Sequence, residues 1–161
     1  MEEKNDNKVK EQFKQYCDSQ SWCTFKCFSK DKHACWDCSY YSADTKGNQI
    51  SVIAEIKGKD LNPSTKRNSW LLTRAKYEDL NRLKIQMQIK YPQEQFTLQY
   101  IHIFPDNQLY IWNIDDISKR KPLCYLTLPS TTYFGTPTMS STPIYYMHKE
   151  ETLINESINI T

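Results

Sequence analysis

The stretch Gln49–Gly58, QISVIAEIKG, constrains this chain more than any other. Its density of β-branched residues predicts a strand. The preceding DTKGN, residues 44–48, predicts a turn in which Gly47 adopts positive φ. Side chains alternate across a strand, so Val52, Ala54 and Ile56 share one face while Glu55 and Lys57 share the other. The apolar trio is a natural core face. Burying either charge without a partner is costly, so the pair needs a reason. The plainest is a surface ion pair on a wet sheet face.

The turn folds this strand back onto HACWDCSYYSA, residues 33–43, which reads as the preceding strand. A hairpin centred near residue 46 sets Asp37 opposite Glu55 to within about one pair of register, with opposed Cβ atoms ~4.5–5.5 Å apart. Two carboxylates that close repel. A hard divalent cation relieves the repulsion: Mg²⁺ prefers oxygen and typically takes one or two protein carboxylates, with water and substrate phosphate completing its shell. Lys57 alongside can steady an attacking water or help deprotonate it, and can favour charge developing on phosphoryl oxygens. Asp37, Glu55 and Lys57 are therefore the candidate catalytic set, with Asp37 and Glu55 as metal ligands, for metal-assisted phosphodiester hydrolysis.

Elsewhere, residues 6–19 read as a helix capped by Asn5 or Asp6, with Val9, Phe13, Tyr16 and Cys17 at helical spacing. WCTFKCFS reads as a short strand. GKDLNPSTKRNS, residues 58–69, reads as a polar basic loop. A helix follows over 73–90, with Thr73 as cap and Tyr77, Leu80, Leu83 and Met87 on one stripe. FTLQYIHIF and LYIWNI form a second hairpin about PDNQ. Beyond Ser118 the pattern weakens: LCYLTL is a possible strand, 129–143 an irregular connection, and the last stretch a short helix or a tail. The expected division is a core over 1–118 and a partly irregular extension over 119–161. The order α-β-β-β-α-β-β predicts an α/β (α+β) domain on one mixed central sheet flanked by helices.

Asp37, the 17-residue gap across a hairpin and Glu55-Ile56-Lys57 together resemble the PD-(D/E)xK nuclease superfamily, the restriction-endonuclease-like or Holliday-junction-resolvase-like fold. The helix before the hairpin, and the helix and hairpin after it, follow that core order over roughly residues 6–115. Trp36 stands where the motif's name has proline. The chain holds four acid-x-Lys triplets, but only Glu55–Lys57 lies in an apolar strand with an upstream acid at hairpin distance. The resemblance implies a Mg²⁺-dependent endo- or exonuclease acting on DNA, with Mn²⁺ able to substitute. It also implies the main-chain carbonyl of Ile56 as a further metal ligand, and a water-assisting role for Lys57.

Charge distribution points the same way. Residues 56–90 hold nine Lys/Arg against three Asp/Glu, within a chain of net charge only +2. Such a segment suits phosphates as well as it suits a solvated helix face. Lys59, Lys66, Arg67, Arg74 and Lys76 are the candidate DNA contacts; Glu11 and Gln12 on the first helix are further candidates near the site. No apolar run is long enough to span a membrane. The charged start, MEEKNDNKVK, lacks a signal-peptide core, so a cytoplasmic location is expected, in a cell or a virus-infected host, with a homodimer as a possible assembly. Reduced thiols follow from that location. Four of the six cysteines (Cys23, Cys27, Cys35 and Cys38) fall within sixteen residues, which raises a zinc-stabilised interaction domain as an alternative. Against it, Cys35 and Cys38 read as opposite-facing strand residues, and buried thiols behave as small hydrophobes. His33 and His102 have no obvious partner in the sequence, and Trp70, Tyr100, Tyr110 and Trp112 read as core. A non-catalytic nucleic-acid-binding or partner-binding module on the same fold is the other alternative.

Overall fold

The computed structural model describes residues 2–31, 33–58, 63–66, 69–129 and 139–158. In chain order the elements are α1 (Glu2–Ser19), β1 (Thr24–Phe28), β2 (Cys38–Ala43), β3 (Gln49–Lys57), β4 (Ser69–Thr73), α2 (Arg74–Lys90), β5 (Phe96–Ile103) and β6 (Gln108–Asn113). A short α3 (Ile117–Arg120), β7 (Cys124–Pro129), β8 (Met139–His148) and β9 (Ile154–Ser157) complete it. The protein is a mixed α/β fold. Its main sheet has six strands in the order β1-β2-β3-β5-β6-β9, and a second sheet has three in the order β4-β8-β7.

The β2–β3 hairpin has the expected register, from Ala43 opposite Gln49 to Cys38 opposite Ala54. Its turn explains why. The Asp44 carboxylate accepts hydrogen bonds from the N–H groups of Lys46 (2.9 Å) and Asn48 (2.8 Å), and Gly47 adopts φ 81°. β3 then pairs in parallel with β5. A parallel neighbour requires a crossover, and β4 with α2 supplies it.

Both faces of β3 are covered, which changes the expectation of a wet polar face. Val52, Ala54 and Ile56 pack with Val9, Phe13 and Cys17 of α1, together with Ile101, Ile103, Leu109 and Ile111. On the opposite face, Ile53 joins Leu98, Tyr100 and Trp112 beneath Tyr77 and Leu80 of α2 and Trp70, Tyr145 and Met147 of the second sheet. The four expected core aromatics Trp70, Tyr100, Tyr110 and Trp112 are all buried.

Several element expectations need correction. The segment 33–37 is not strand: β2 begins at Cys38, so Asp37 stands one residue outside it. α1 begins at Glu2, which puts Asp6 inside the helix instead of at its cap. Within the supposed basic loop, Ser64–Lys66 form a single 3₁₀ turn and Ser69 already starts β4. The last stretch is neither helix nor tail: β8 pairs with both β4 and β7, and β9 forms the edge of the main sheet beside β6.

Candidate functional site

At the C-terminal end of β3 a polar cleft of about 200 Å³ opens between the two helical layers, lined among others by Asp6, Lys10, Asp37, Glu55, Lys57 and Lys76. Asp37 is tied to the strand end twice. Its N–H donates to the Ala54 carbonyl (2.9 Å), and its Oδ2 accepts from the Ile56 N–H (2.8 Å). The carboxylate thus continues the ladder where β2 has not yet begun. In a strand a residue's N–H and C=O leave from the same edge, so the Ile56 carbonyl projects from the edge on which Asp37 sits.

Glu55 lies on the α2 face of β3, in register with Tyr100 of β5, and its side chain is only 4% exposed. Its Oε1 is held by Lys57 Nζ at 2.7 Å and by Lys76 Nζ at 3.2 Å. Lys76 comes from the first turn of α2, whose N-cap Thr73 accepts the Lys76 N–H (3.2 Å). Its Nζ also donates to the Cys35 carbonyl (3.3 Å). On the other side, Lys10 of α1 reaches Asp37 Oδ1 at 2.7 Å. Each carboxylate is therefore gripped by a lysine from a different helix.

These surroundings split the two acids. Burial disfavours the Asp37 carboxylate, but the Lys10 ammonium and the Ile56 N–H outweigh it and hold the pKa below the ordinary value. For Glu55 burial prevails: with Asp37 adding repulsion, its pKa is raised although Lys57 and Lys76 oppose the shift. Lys57 moves up as well, since the Glu55, Asp37 and Asp6 charges overcome its own partial burial. It therefore remains an ammonium at neutral pH, suited to donating hydrogen bonds and not to accepting a proton.

The donor set suits a hard cation in type, with two carboxylates on the cleft and a main-chain carbonyl on the same strand edge. Among the described residues, no three His, Cys, Asp or Glu side chains form a metal-holding group, so any ion here depends on the two acids, the backbone and water. The cysteines divide by face. Cys23 and Cys38 lie in the α1-side core, Cys35 packs on the α2-side core, and Cys27 lines an apolar pocket with Ile53, Leu83 and Met87. All six are free thiols.

Of the two basic candidates whose side chains are described, Arg74 and Lys76, only Lys76 reaches the cleft. Arg74 is turned outward onto Glu78 (2.7 Å), Lys66 ends the 3₁₀ turn, and Lys59 and Arg67 lie outside the described residues. Glu11 is exposed, and Gln12 lines a separate depression with Tyr16 and Glu156. Lys10 and Asp6 are the contributors that sequence reading missed. The available signal was helical phase: with Val9 and Phe13 facing the sheet, Asp6 and Lys10 flank that stripe one turn apart. His102 is buried and stacked on Phe104, with centroids 4.3 Å apart. No family model matches the chain, and neither a curated protein nor a solved structure matches it. Among the described residues, no helix is long and apolar enough to cross a membrane.

Proposed function

We propose that this chain is a divalent-metal-dependent nuclease that hydrolyses DNA phosphodiester bonds, with Asp37, Glu55 and Lys57 as its catalytic set. The observation that carries the reading is the meeting of Asp37 and the Glu55–Lys57 pair on one polar cleft at the end of a hairpin in the expected register. The strand sequence β1-β2-β3, a helical crossover and a parallel β5 also suit a restriction-endonuclease-like core, with β4 as an insertion.

Asp37, Glu55 and the Ile56 carbonyl would hold Mg²⁺ or Mn²⁺, which when bound supplies positive charge that polarises the phosphate. Lys57 keeps its proton, orients the attacking water and offers N–H donors to the charge growing on the phosphoryl oxygens. Lys76 and the basic segment around it supply phosphate contacts that position the strand without reading its sequence. The test is cleavage of labelled linear, flapped and branched DNAs with Mg²⁺, Mn²⁺ or chelator. Metal-dependent cutting by the parent protein, abolished in Asp37→Asn, is the expected result. No cleavage of any DNA with either metal would overturn the reading.

A second reading has its own observation. Lys10, Lys57 and Lys76 already neutralise both carboxylates, as in an ion-pair cluster that fastens two helices to a sheet. On that reading the protein is a non-catalytic binding module. The same assay separates the two.

A further inference from the structure

Two lysines enter the cleft from helices on opposite faces of the sheet, and each ends on a different carboxylate. We propose that Lys10 and Lys76 are resident counter-ions: they hold Asp37 and Glu55 together in the metal-free protein, are displaced when a divalent cation binds, and then take the phosphate oxygens of the nucleic acid. The proposal rests on the metal-dependent reading above and adds a mechanism of assembly to it.

The geometry is asymmetric in a way that suits displacement. The acids are fixed: Asp37 is bonded to the backbone of β3, and the Glu55 side chain is 4% exposed. The lysines are held less firmly: Lys10 and Lys76 are 30% and 29% exposed, Lys76 has besides its ion pair a 3.3 Å bond to the Cys35 carbonyl, and both carry four-carbon arms with freedom to turn toward water. Three ammonium groups face two carboxylates and Asp6 across about 200 Å³. Adding a doubly charged ion raises the repulsion on every ammonium within a few ångströms. Lys57 is more exposed (43%) but projects from the same face of β3 two residues from Glu55 and stays beside it, whereas Lys10 and Lys76, on separate helices, can swing outward. Once outside, each points a cation along the rim of the cleft, one from either side. Metal binding and polyanion binding are then linked and must favour one another.

Three measurements on the full chain test this. Calorimetry with Mg²⁺ alone compares the parent protein with Lys10→Gln, Lys76→Gln and, as a control, Lys14→Gln, whose lysine pairs with Asp18 on the same helix. The first two should bind Mg²⁺ about threefold to tenfold more tightly and the control should bind as the parent does. Lysine ammonium NMR signals of the parent, protected by carboxylate pairing, should show Lys10 and Lys76 in chelator and lose or shift both at saturating Mg²⁺; this needs no variant to fold. A labelled 20-base-pair duplex should bind the parent more tightly in Ca²⁺ than in chelator, with the gain reduced in both cleft variants. Unchanged Mg²⁺ affinity in Lys10→Gln and Lys76→Gln, or unmoved ammonium signals in saturating Mg²⁺, overturns the counter-ion role while leaving the metal site standing. Absence of Mg²⁺ binding in every protein removes the metal reading and this inference with it.

Discussion

Gly58 is the residue on which the site's construction turns. A Cβ there would fall 2.2 Å and 2.8 Å from the two γ-methyl carbons of Val9. The absent side chain is what lets α1 lie against the end of β3 and bring Lys10 within reach of Asp37. Gly58→Ala should therefore push α1 outward, costing about 1–3 kcal/mol by overpacking, and should lengthen the Lys10–Asp37 contact. Urea unfolding gives the first effect, and the Lys10 ammonium signal gives the second. A variant as stable as the parent with that signal intact would contradict this account of the junction.

The two acids make opposite contributions to stability against pH, with chelator present. Glu55 has a folded pKa raised above 4.5, so its ionised form costs stability at neutral pH and that cost fades as pH falls through the raised value. Asp37 has a folded pKa below 3.8, so its contribution is fully present above that value and is lost only as pH falls further. Glu55→Gln should thus be no less stable than the parent at pH 7 and should lose its relative advantage near pH 4. Asp37→Asn should be less stable at pH 7 and should lose less on acidification to pH 2. Urea midpoints across pH 2–7 give both curves. A Glu55→Gln protein markedly weaker than the parent at pH 7 would show that the lysines outweigh burial.

At the scale of elements, α2 carries Lys76 to Glu55 and is tied at two points. Thr73 caps its start, and past its midpoint Lys84 reaches Asp115 at 2.6 Å while that carboxylate also accepts from Leu98 N–H of β5. Thr73→Ala should cost about 1 kcal/mol. It should also weaken the Lys76–Glu55 contact, because Lys76 sits in the first turn. Leu80→Ala, at a fully buried position, should cost about 2–5 kcal/mol. Equilibrium unfolding separates the two magnitudes, and equal losses would contradict the assignment of cap and core roles.

Elements were legible where their determinants are local. DTKGN holds the side-chain acceptor and the glycine that fix the β2–β3 register, and Thr73 announces α2. β4, β8 and β9 were hidden because their partners are remote. Trp70 pairs with Met147, and Ile111 with Ile154, so no short window contains the reason those segments extend. The start of β2 was misread for the opposite cause. HACWD has strand-like composition, but Asp37 uses its carboxylate to replace the ladder and the strand begins after it. Lys10 was missed because its role depends on how α1 lies across β3, and the deciding residue, Gly58, appears in sequence as only another loop glycine.

On the scale of the whole molecule, a mixed sheet covered on both faces makes the end of β3 a place where buried carboxylates meet solvent. The helices on the two faces supply opposing lysines, and the hairpin supplies the acids. Neither layer alone builds the cleft. The proposed activity of this junction is DNA hydrolysis. The most direct measurement is single-turnover cleavage of a labelled DNA panel in Mg²⁺ by the parent, Asp37→Asn and Lys57→Ala, with Mg²⁺ affinity determined for each. Loss of about 10²-fold or more in rate is expected for both variants. Asp37→Asn should bind Mg²⁺ more weakly, while Lys57→Ala should bind it as tightly as the parent or more so. Cleavage by Lys57→Ala at the parent's rate would contradict the account and make Glu55 and Lys57 a structural ion pair.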